Sequence, residues 1–233
     1  MQQNNIQILC TRPLPESLIE LAGAACIEIT ISPFIETESI LSVEVQQEIE
    51  LLSFQTAIVV FTSMNAVDAV TGLLDGHHPN WTIYSIGNAT GRLVNEYFGE
   101  EKMAGTAGDA ASLAMLIAED RFANEVVFFC GDQRRDELPA TLRQQGIDVN
   151  EIVVYQTINL PHLIEQHYHG ILFFSPSAVQ SFFQKNKLND TTILFAIGNT
   201  TANEIKKFTN NKIIISDSPG KENLMDKMME YFS

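Results

Sequence analysis

Four short segments of this chain share one chemical make-up. Phe61-Thr62-Ser63-Met64-Asn65 and Phe174-Ser175-Pro176-Ser177 place small hydroxyl residues directly after an apolar run. Ile86-Gly87-Asn88-Ala89-Thr90 and Ile197-Gly198-Asn199-Thr200-Thr201 place Gly-Asn and threonine in the same setting. Each segment leads into an amphipathic stretch, so each reads as a strand-to-helix turn. Ser, Thr and Asn are helix-capping types, and glycine lets backbone come close to a ligand. The start of a helix leaves N–H groups unpaired at the positive end of its dipole, so such a turn can hold an anion without a lysine. Capping alone explains any one of these turns; four of them in two matched pairs point to a shared ligand. The candidate binding residues are therefore Ser63, Ser175, Ser177, Thr90, Thr200, Thr201, Asn88, Asn199, Gly87 and Gly198. Arg12, in a Thr-Arg-Pro turn, can grip a carboxylate bidentately. An arginine merely exposed at the surface is the plain alternative.

These turns belong to an internal repeat. Ser63 faces Ser175 at an offset of 112, and Gly87 faces Gly198 at an offset of 111. A weaker match at an offset of 120 sets Cys10 on Cys130, Leu18 on Leu138 and Thr37 on Thr157. The order is one α/β unit followed by a second copy of it. Strand-like runs are Ile6–Cys10, Ile27–Ile31, Ala57–Phe61, Thr82–Ile86, Val126–Cys130, Val149–Val154, Gly170–Phe174, Ile193–Ile197 and Lys212–Ile215. Helix-like stretches alternate with them: Asn65–Leu74, Ala89–Tyr97, Ala110–Glu119, Arg134–Gln145, Ser177–Lys185, Thr201–Phe208 and Lys221–Phe232. Continuous apolar strands separated by helices predict a doubly wound α/β fold with parallel sheets covered on both faces. Ser32–Thr37 and Val153–Asn159 are equivalent, extended and each followed by a helix-like segment. They separate two sequential domains, or the two copies have exchanged their first units; the pattern admits both. Tyr155 falls opposite Ile35 at the 120 offset, a phenol in one copy where the other has an aliphatic side chain. A phenol donates a proton without carrying charge at neutral pH, though a half-buried strand tyrosine with a satisfied hydroxyl is the plain alternative.

Composition narrows the function. The 233 residues carry a net charge of −15, which disfavours nucleic acid and anionic lipid as partners. No apolar run is long enough to span a bilayer, and the first residues lack a signal peptide's basic flank and apolar core, so a cytoplasmic location is expected. Three cysteines without a Cys-x-x-Cys pair predict neither a disulfide framework nor a zinc site, and Cys10 and Cys130 read as buried thiols. Neither Gly-x-Gly-x-x-Gly nor a phosphate loop follows any strand, which disfavours nucleotides. Arg134 and Arg135 open a helix-like stretch among Asp132, Asp136 and Glu137, where local ion pairing is the stronger reading and leaves Arg134 a weak carboxylate candidate. The histidines fall in loops or near a helix end, and His167 and His169, two apart, point to different sides of a helix. No metal site or cofactor is expected.

The ordered set Leu-Cys-Thr-Arg-Pro (9–13), Val-Phe-Thr-Ser-Met-Asn-Ala-Val (60–67), Ser-Ile-Gly-Asn-Ala-Thr (85–90), Glu-Ile-Val-Val-Tyr-Gln-Thr (151–157), Phe-Phe-Ser-Pro-Ser-Ala-Val (173–179) and Ala-Ile-Gly-Asn-Thr-Thr-Ala (196–202) resembles the uroporphyrinogen-III synthases. The resemblance covers nearly the whole chain and rests on order and spacing rather than on any single motif. It implies two flavodoxin-like α/β domains joined by a two-stranded connector, Ser32–Thr37 with Val153–Asn159. One domain would combine residues 1–34 with 158–233, and the other would span 38–155. It further implies a monomeric, cofactor-free enzyme that closes hydroxymethylbilane to uroporphyrinogen III with loss of water and inversion of ring D. Tyr155 would be the general acid that helps the hydroxyl leave. Thr90 matches a family site threonine, and Thr201 is its equivalent in the other copy. The substrate carries eight carboxylates, so backbone turns that hold anions inside a site reconcile it with an acidic surface. Two rival readings use the same features: a non-catalytic two-lobed protein that binds a tetrapyrrole or small anion, and an acidic scaffold whose repeat is purely structural.

Overall fold

The computed structural model describes residues 5–120, 123–218 and 220–233. The strands, in chain order, are β1 (Ile6–Cys10), β2 (Ile27–Ile31), β3 (Ile35–Ser39), β4 (Ala57–Phe61), β5 (Trp81–Ile86), β6 (Met103–Ala107), β7 (Glu125–Gly131), β8 (Asp148–Asn159), β9 (Gly170–Phe173), β10 (Ile193–Ala196) and β11 (Ile213–Ile215). The helices are α1 (Glu16–Ala24), α2 (Val43–Ser53), α3 (Met64–Leu74), α4 (Asn88–Phe98), α5 (Ala110–Ala118), α6 (Glu137–Gln144), α7 (Pro176–Phe183), α8 (Asn199–Ile205) and α9 (Lys221–Phe232). Two compact units result. One holds the chain up to Glu36 together with Ile158–Ser233, and the other holds Thr37–Thr157.

The first unit is built on a sheet in the order β11-β10-β9-β1-β2, with every paired strand parallel. Numbered along the unit, this is the 2-1-3-4-5 order of doubly wound folds. The second unit repeats it. Its parallel strands run β8-β7-β4-β5-β6, and β3 lies along β8 at the edge. Under the internal repeat β7 corresponds to β1, and β4 and β5 correspond to β9 and β10. Yet β1 pairs with β9 and β7 pairs with β4. Each sheet therefore joins the opening strand of one copy to the later strands of the other, which is the exchanged arrangement.

Burial follows from the strict alternation of strand side chains. Val59 and Phe61 of β4 enter one core with Val127, Phe129 and Trp81, while Val60 enters the opposite core with Phe128, Cys130 and Leu113. The first unit does the same: Leu9, Ile171 and Phe173 face one side, and Ile8, Cys10 and Leu172 the other. Helices cover both faces, so both residue parities of a strand are apolar, as parallel sheets require.

Pro33 explains an asymmetry between the copies. At the 120 offset, the single strand β8 maps onto 28–39, which holds all of β2 but its first residue, a break at Ser32-Pro33-Phe34, and β3. Proline cannot donate to a ladder and interrupts the first copy where the second runs on. Two sequence expectations need correction. The segment after β8, residues 160–169, is not helical, and α6 begins at Glu137 rather than Arg134. His167 and His169 therefore sit in a loop, not on a helix. Among the described residues no cluster of His, Cys, Asp or Glu could hold a metal, and no helix is long and apolar enough to cross a membrane.

Candidate functional site

In a sheet of this order ligands bind beyond the carboxyl ends of the strands, where the strand order reverses. In the first unit the reversal lies between β1 and β9. The turn after β1 is fixed by Thr11, which is buried. Its N–H and its Oγ1 hydroxyl both donate to the Leu172 carbonyl, at 3.2 and 2.8 Å. The Cys10 thiol donates to the Arg12 carbonyl at 3.0 Å. This rigid turn presents Arg12 to solvent, with its guanidinium carbon 5.7 Å from the centre of the Phe174 ring. Across the reversal, Ser175 caps α7, its Oγ accepting the Ala178 N–H at 3.2 Å, and Ser177 lies half-buried in the first turn of that helix. Capping uses a lone pair of Ser175 and leaves its hydroxyl proton free to donate.

The second unit reverses between β7 and β4. Ser63 caps α3 by accepting the Ala66 N–H at 3.3 Å, the counterpart of Ser175. On the other side, the β7–β8 register slips between Cys130 and Gly131, so Gly131 comes opposite Tyr155. A Cβ on Gly131 would stand 2.4 Å from Tyr155 Cζ and 2.8 Å from its hydroxyl oxygen. Bare backbone is thus the floor on which the phenol rests. Asp132 locks the arrangement: its N–H donates to the Tyr155 carbonyl at 3.1 Å, and its Oδ1 accepts the Thr157 N–H at 2.9 Å. The Tyr155 ring is half-buried against the core, and its hydroxyl has no hydrogen-bond partner among the described residues.

The Gly-Asn turns behave differently from the expected side-chain caps. Gly87 and Gly198 themselves are the N-cap residues of α4 and α8, no side chain caps either helix, and Asn88 and Asn199 are exposed first helical residues. The first N–H groups of α4 therefore receive no side-chain cap, and α8 likewise starts without one. Gly87 has φ +78°, which favours glycine; Gly198 is extended, and any residue could adopt its backbone. A Cβ at either glycine would meet nothing within 4 Å, so both backbones are open to approach. Thr90 and Thr201, third in their helices, are 6% and 2% exposed. Their hydroxyls have no hydrogen-bond partner among the described residues. Thr200 is exposed.

Arg134 does not join these groups. It lies in the loop before α6 and pairs with Asp136 and with Glu151, which Arg143 also holds at 2.7 Å. Four cavities among the described residues also lie away from these turns. One of 540 Å³, lined by Ala57, Thr82, Glu125 and Asn150 among others, opens at the amino ends of the strands, opposite the turns. The expected site residues that each unit gathers at its carboxyl end are thus Arg12, Ser175, Ser177 and the α8 turn in the first, and Ser63, Tyr155 and the α4 turn in the second. Sequence reasoning missed Gly131 and Asp132, which seat Tyr155, although the 120 offset aligns them with Thr11 and Arg12. It also passed over Lys221 at the start of α9.

The sequence profile described as "Uroporphyrinogen-III synthase HemD" matches residues 16–226, and so spans both units. The chain belongs to the uroporphyrinogen-III synthase family. A uroporphyrinogen-III synthase of Saccharomyces cerevisiae is 26% identical over 176 residues, 64% of this chain and 64% of its own. The match thus covers less than two thirds of the yeast protein. Among solved structures, the uroporphyrinogen-III synthetase of Helicobacter pylori 26695 superposes with a TM-score of 0.67 at 17% identity, covering 97% of this chain and 99% of that one. A mutant uroporphyrinogen III synthase of Thermus thermophilus gives 0.66 at 16% identity, covering 97% of each chain. At these identities the likeness establishes the family's two-unit α/β fold.

Proposed function

We propose that this chain is a uroporphyrinogen-III synthase, a cyclising lyase that converts hydroxymethylbilane to uroporphyrinogen III with loss of water and inversion of ring D. The observation that carries the proposal is the family match across residues 16–226. Supporting it, each unit ends its sheet in one serine-capped and one uncapped Gly-Asn helix start.

Tyr155 acts first. Its hydroxyl donates to the departing hydroxyl of ring A, water leaves, and an electrophilic azafulvene remains. The substituted carbon of ring D attacks it to form a spiro intermediate, which fragments and recloses with that ring reversed. A phenol suits the first step because it gives a proton while staying uncharged beforehand. The rest is control of geometry, since the free bilane also closes unaided without inversion. The α4 and α8 starts, with Thr90, Thr200, Thr201, Asn88, Asn199, Gly87 and Gly198, hold acetate and propionate groups through backbone amides and side chains. Ser63, Ser175 and Ser177 add hydroxyl donors, and Arg12 adds a guanidinium. The acidic protein field suits an azafulvenium-like cation. In the same proposal the two units are domains on a connector formed by Ser32–Thr37 and Val153–Asn159, and the enzyme works as a cytoplasmic monomer without a cofactor.

The test supplies hydroxymethylbilane, oxidises the product and separates the isomers. Catalysed formation of isomer III is expected. Isomer I alone, at the uncatalysed rate, would return the chain to the binding-protein reading.

A further inference from the structure

The chain has 14 Lys and Arg against 29 Asp and Glu, so a basic side chain can readily find an acidic neighbour. Arg134, Arg143, Lys207 and Lys227 do so. Arg12 and Lys221 do not: among the described residues neither forms an ion pair. Instead the fold brings these two residues, 209 positions apart in sequence, to the carboxyl end of β1. The Lys221 ammonium donates to the Pro13 carbonyl at 3.1 Å, across 208 residues of sequence, at the carboxyl end of β1. One residue earlier, the Arg12 carbonyl accepts the Cys10 thiol, and the Arg12 guanidinium carbon lies 5.7 Å from the centre of the Phe174 ring. Burial, and then the charge of Arg12, hold the Lys221 pKa below its ordinary value. The nearest acid in sequence, Glu222, turns its carboxylate toward Gly220: Oε2 would be 3.6 Å from a Cβ there. Lys221 is also the first residue of α9, where a cation opposes the helix dipole.

Two like charges at the end of one strand repel, which Glu222 offsets only in part, and an anion that reaches both relieves that repulsion. We propose that Arg12 and Lys221 form one carboxylate-binding subsite of the first unit, in which a single acetate or propionate of the substrate bridges guanidinium and ammonium. The inference rests on the synthase reading and adds Lys221 to it as a substrate-binding residue. One ammonium proton goes to Pro13, and two remain for the ligand. The Arg12 fork supplies the planar, bidentate part of the contact.

Steady-state kinetics of Arg12→Gln, Lys221→Gln, Lys221→Arg and the Arg12→Gln/Lys221→Gln double variant test it, with hydroxymethylbilane as substrate. Each Gln variant should raise KM roughly tenfold, the size of one charged hydrogen bond, with kcat within about twofold. The double variant should cost less than the product of the two, because both partners hold one group. Lys221→Arg should restore most of the wild-type KM. Thermal melting serves as the folding control. Unchanged KM in folded Lys221→Gln, or fully multiplicative effects, would overturn the subsite while wild-type production of isomer III left the synthase reading standing. Absence of isomer III from the wild type would sink that reading instead.

Discussion

Gly131→Ala should disable the phenol while leaving Tyr155 itself unsubstituted. A Cβ there falls 2.4 Å from Tyr155 Cζ, 2.6 Å from Cε2 and 2.8 Å from the hydroxyl oxygen. Ordinary carbon contacts begin near ~3.5 Å, so the ring must retreat by about 1 Å or more. Backbone fixes the methyl side, since Gly131 sits in β7 and its carbonyl accepts the Arg134 N–H at 3.2 Å. The ring is half-buried and has room to swing outward. Overpacking of this kind costs about 1–3 kcal/mol. For a chain of this length, melting should then fall by roughly 2–4 °C for each kcal/mol. A reacting group displaced by ~1 Å can lose about 10²-fold in rate. Gly131→Ala should therefore remain folded and lower kcat for isomer III by about 10²-fold. Tyr155→Phe keeps the packing, loses the proton, and should fall by a similar or greater factor, about 10²–10⁴. Circular-dichroism melts and single-turnover assays on the two variants read these effects. Wild-type kcat in a folded Gly131→Ala would refute the seating of Tyr155 on that backbone. Wild-type kcat in Tyr155→Phe would remove the phenol from the mechanism.

Other outcomes follow from the same contacts. Gly198→Ala should leave stability nearly unchanged, because its backbone is extended and a Cβ meets nothing within 4 Å, yet raise KM if a ligand approaches that backbone; equal KM would place the ligand elsewhere. Thr11→Val removes the buried hydroxyl that donates to Leu172 and should cost about 1–2 kcal/mol in urea melts. The thiols of Cys10 and Cys130 are buried, and burial pushes each up to about 11, whereas Cys26 is exposed. Alkylation of the native protein at neutral pH should label Cys26 and spare the other two until unfolding. The raised pKa values also set a sign. Because the folded value lies above the ordinary thiol value of 9.0, this share of stability is complete below about pH 9 and is lost as pH rises toward about 11. Urea midpoints measured across that window should fall, and a flat profile would contradict burial of the two thiols.

Periodicity and the repeat made the α/β class legible, because both parities of β1, β4, β7 and β9 are apolar and only a doubly covered sheet asks for that. One strand escaped, and one helix was legible only as a helix-like segment without bounds after Thr37. The edge strand β6 reads Met-Ala-Gly-Thr-Ala and is at most half-buried, so it carries no apolar run. α2 buries little beyond Ile49 and Ser53, and its apolar signal is correspondingly weak. The serine caps were visible because capping is local chemistry. The Gly-Asn turns were misassigned in detail because Asn and Gly both serve as caps, and only backbone geometry shows which does. The seat of Tyr155 was hidden for another reason. It depends on a register slip between two separate strands, which no local pattern encodes.

The central claim is that helix starts at the carboxyl ends of the sheets bind substrate carboxylates, and Ser63→Asp and Ser175→Asp test it most directly. Aspartate caps a helix about as well as serine, so both variants should melt within a few degrees of wild type. It has no proton to donate and sets a negative charge where a carboxylate must sit. KM for hydroxymethylbilane should therefore rise roughly tenfold or more in each variant, the size of one charged hydrogen bond lost. Two stable variants with unchanged KM would contradict the account.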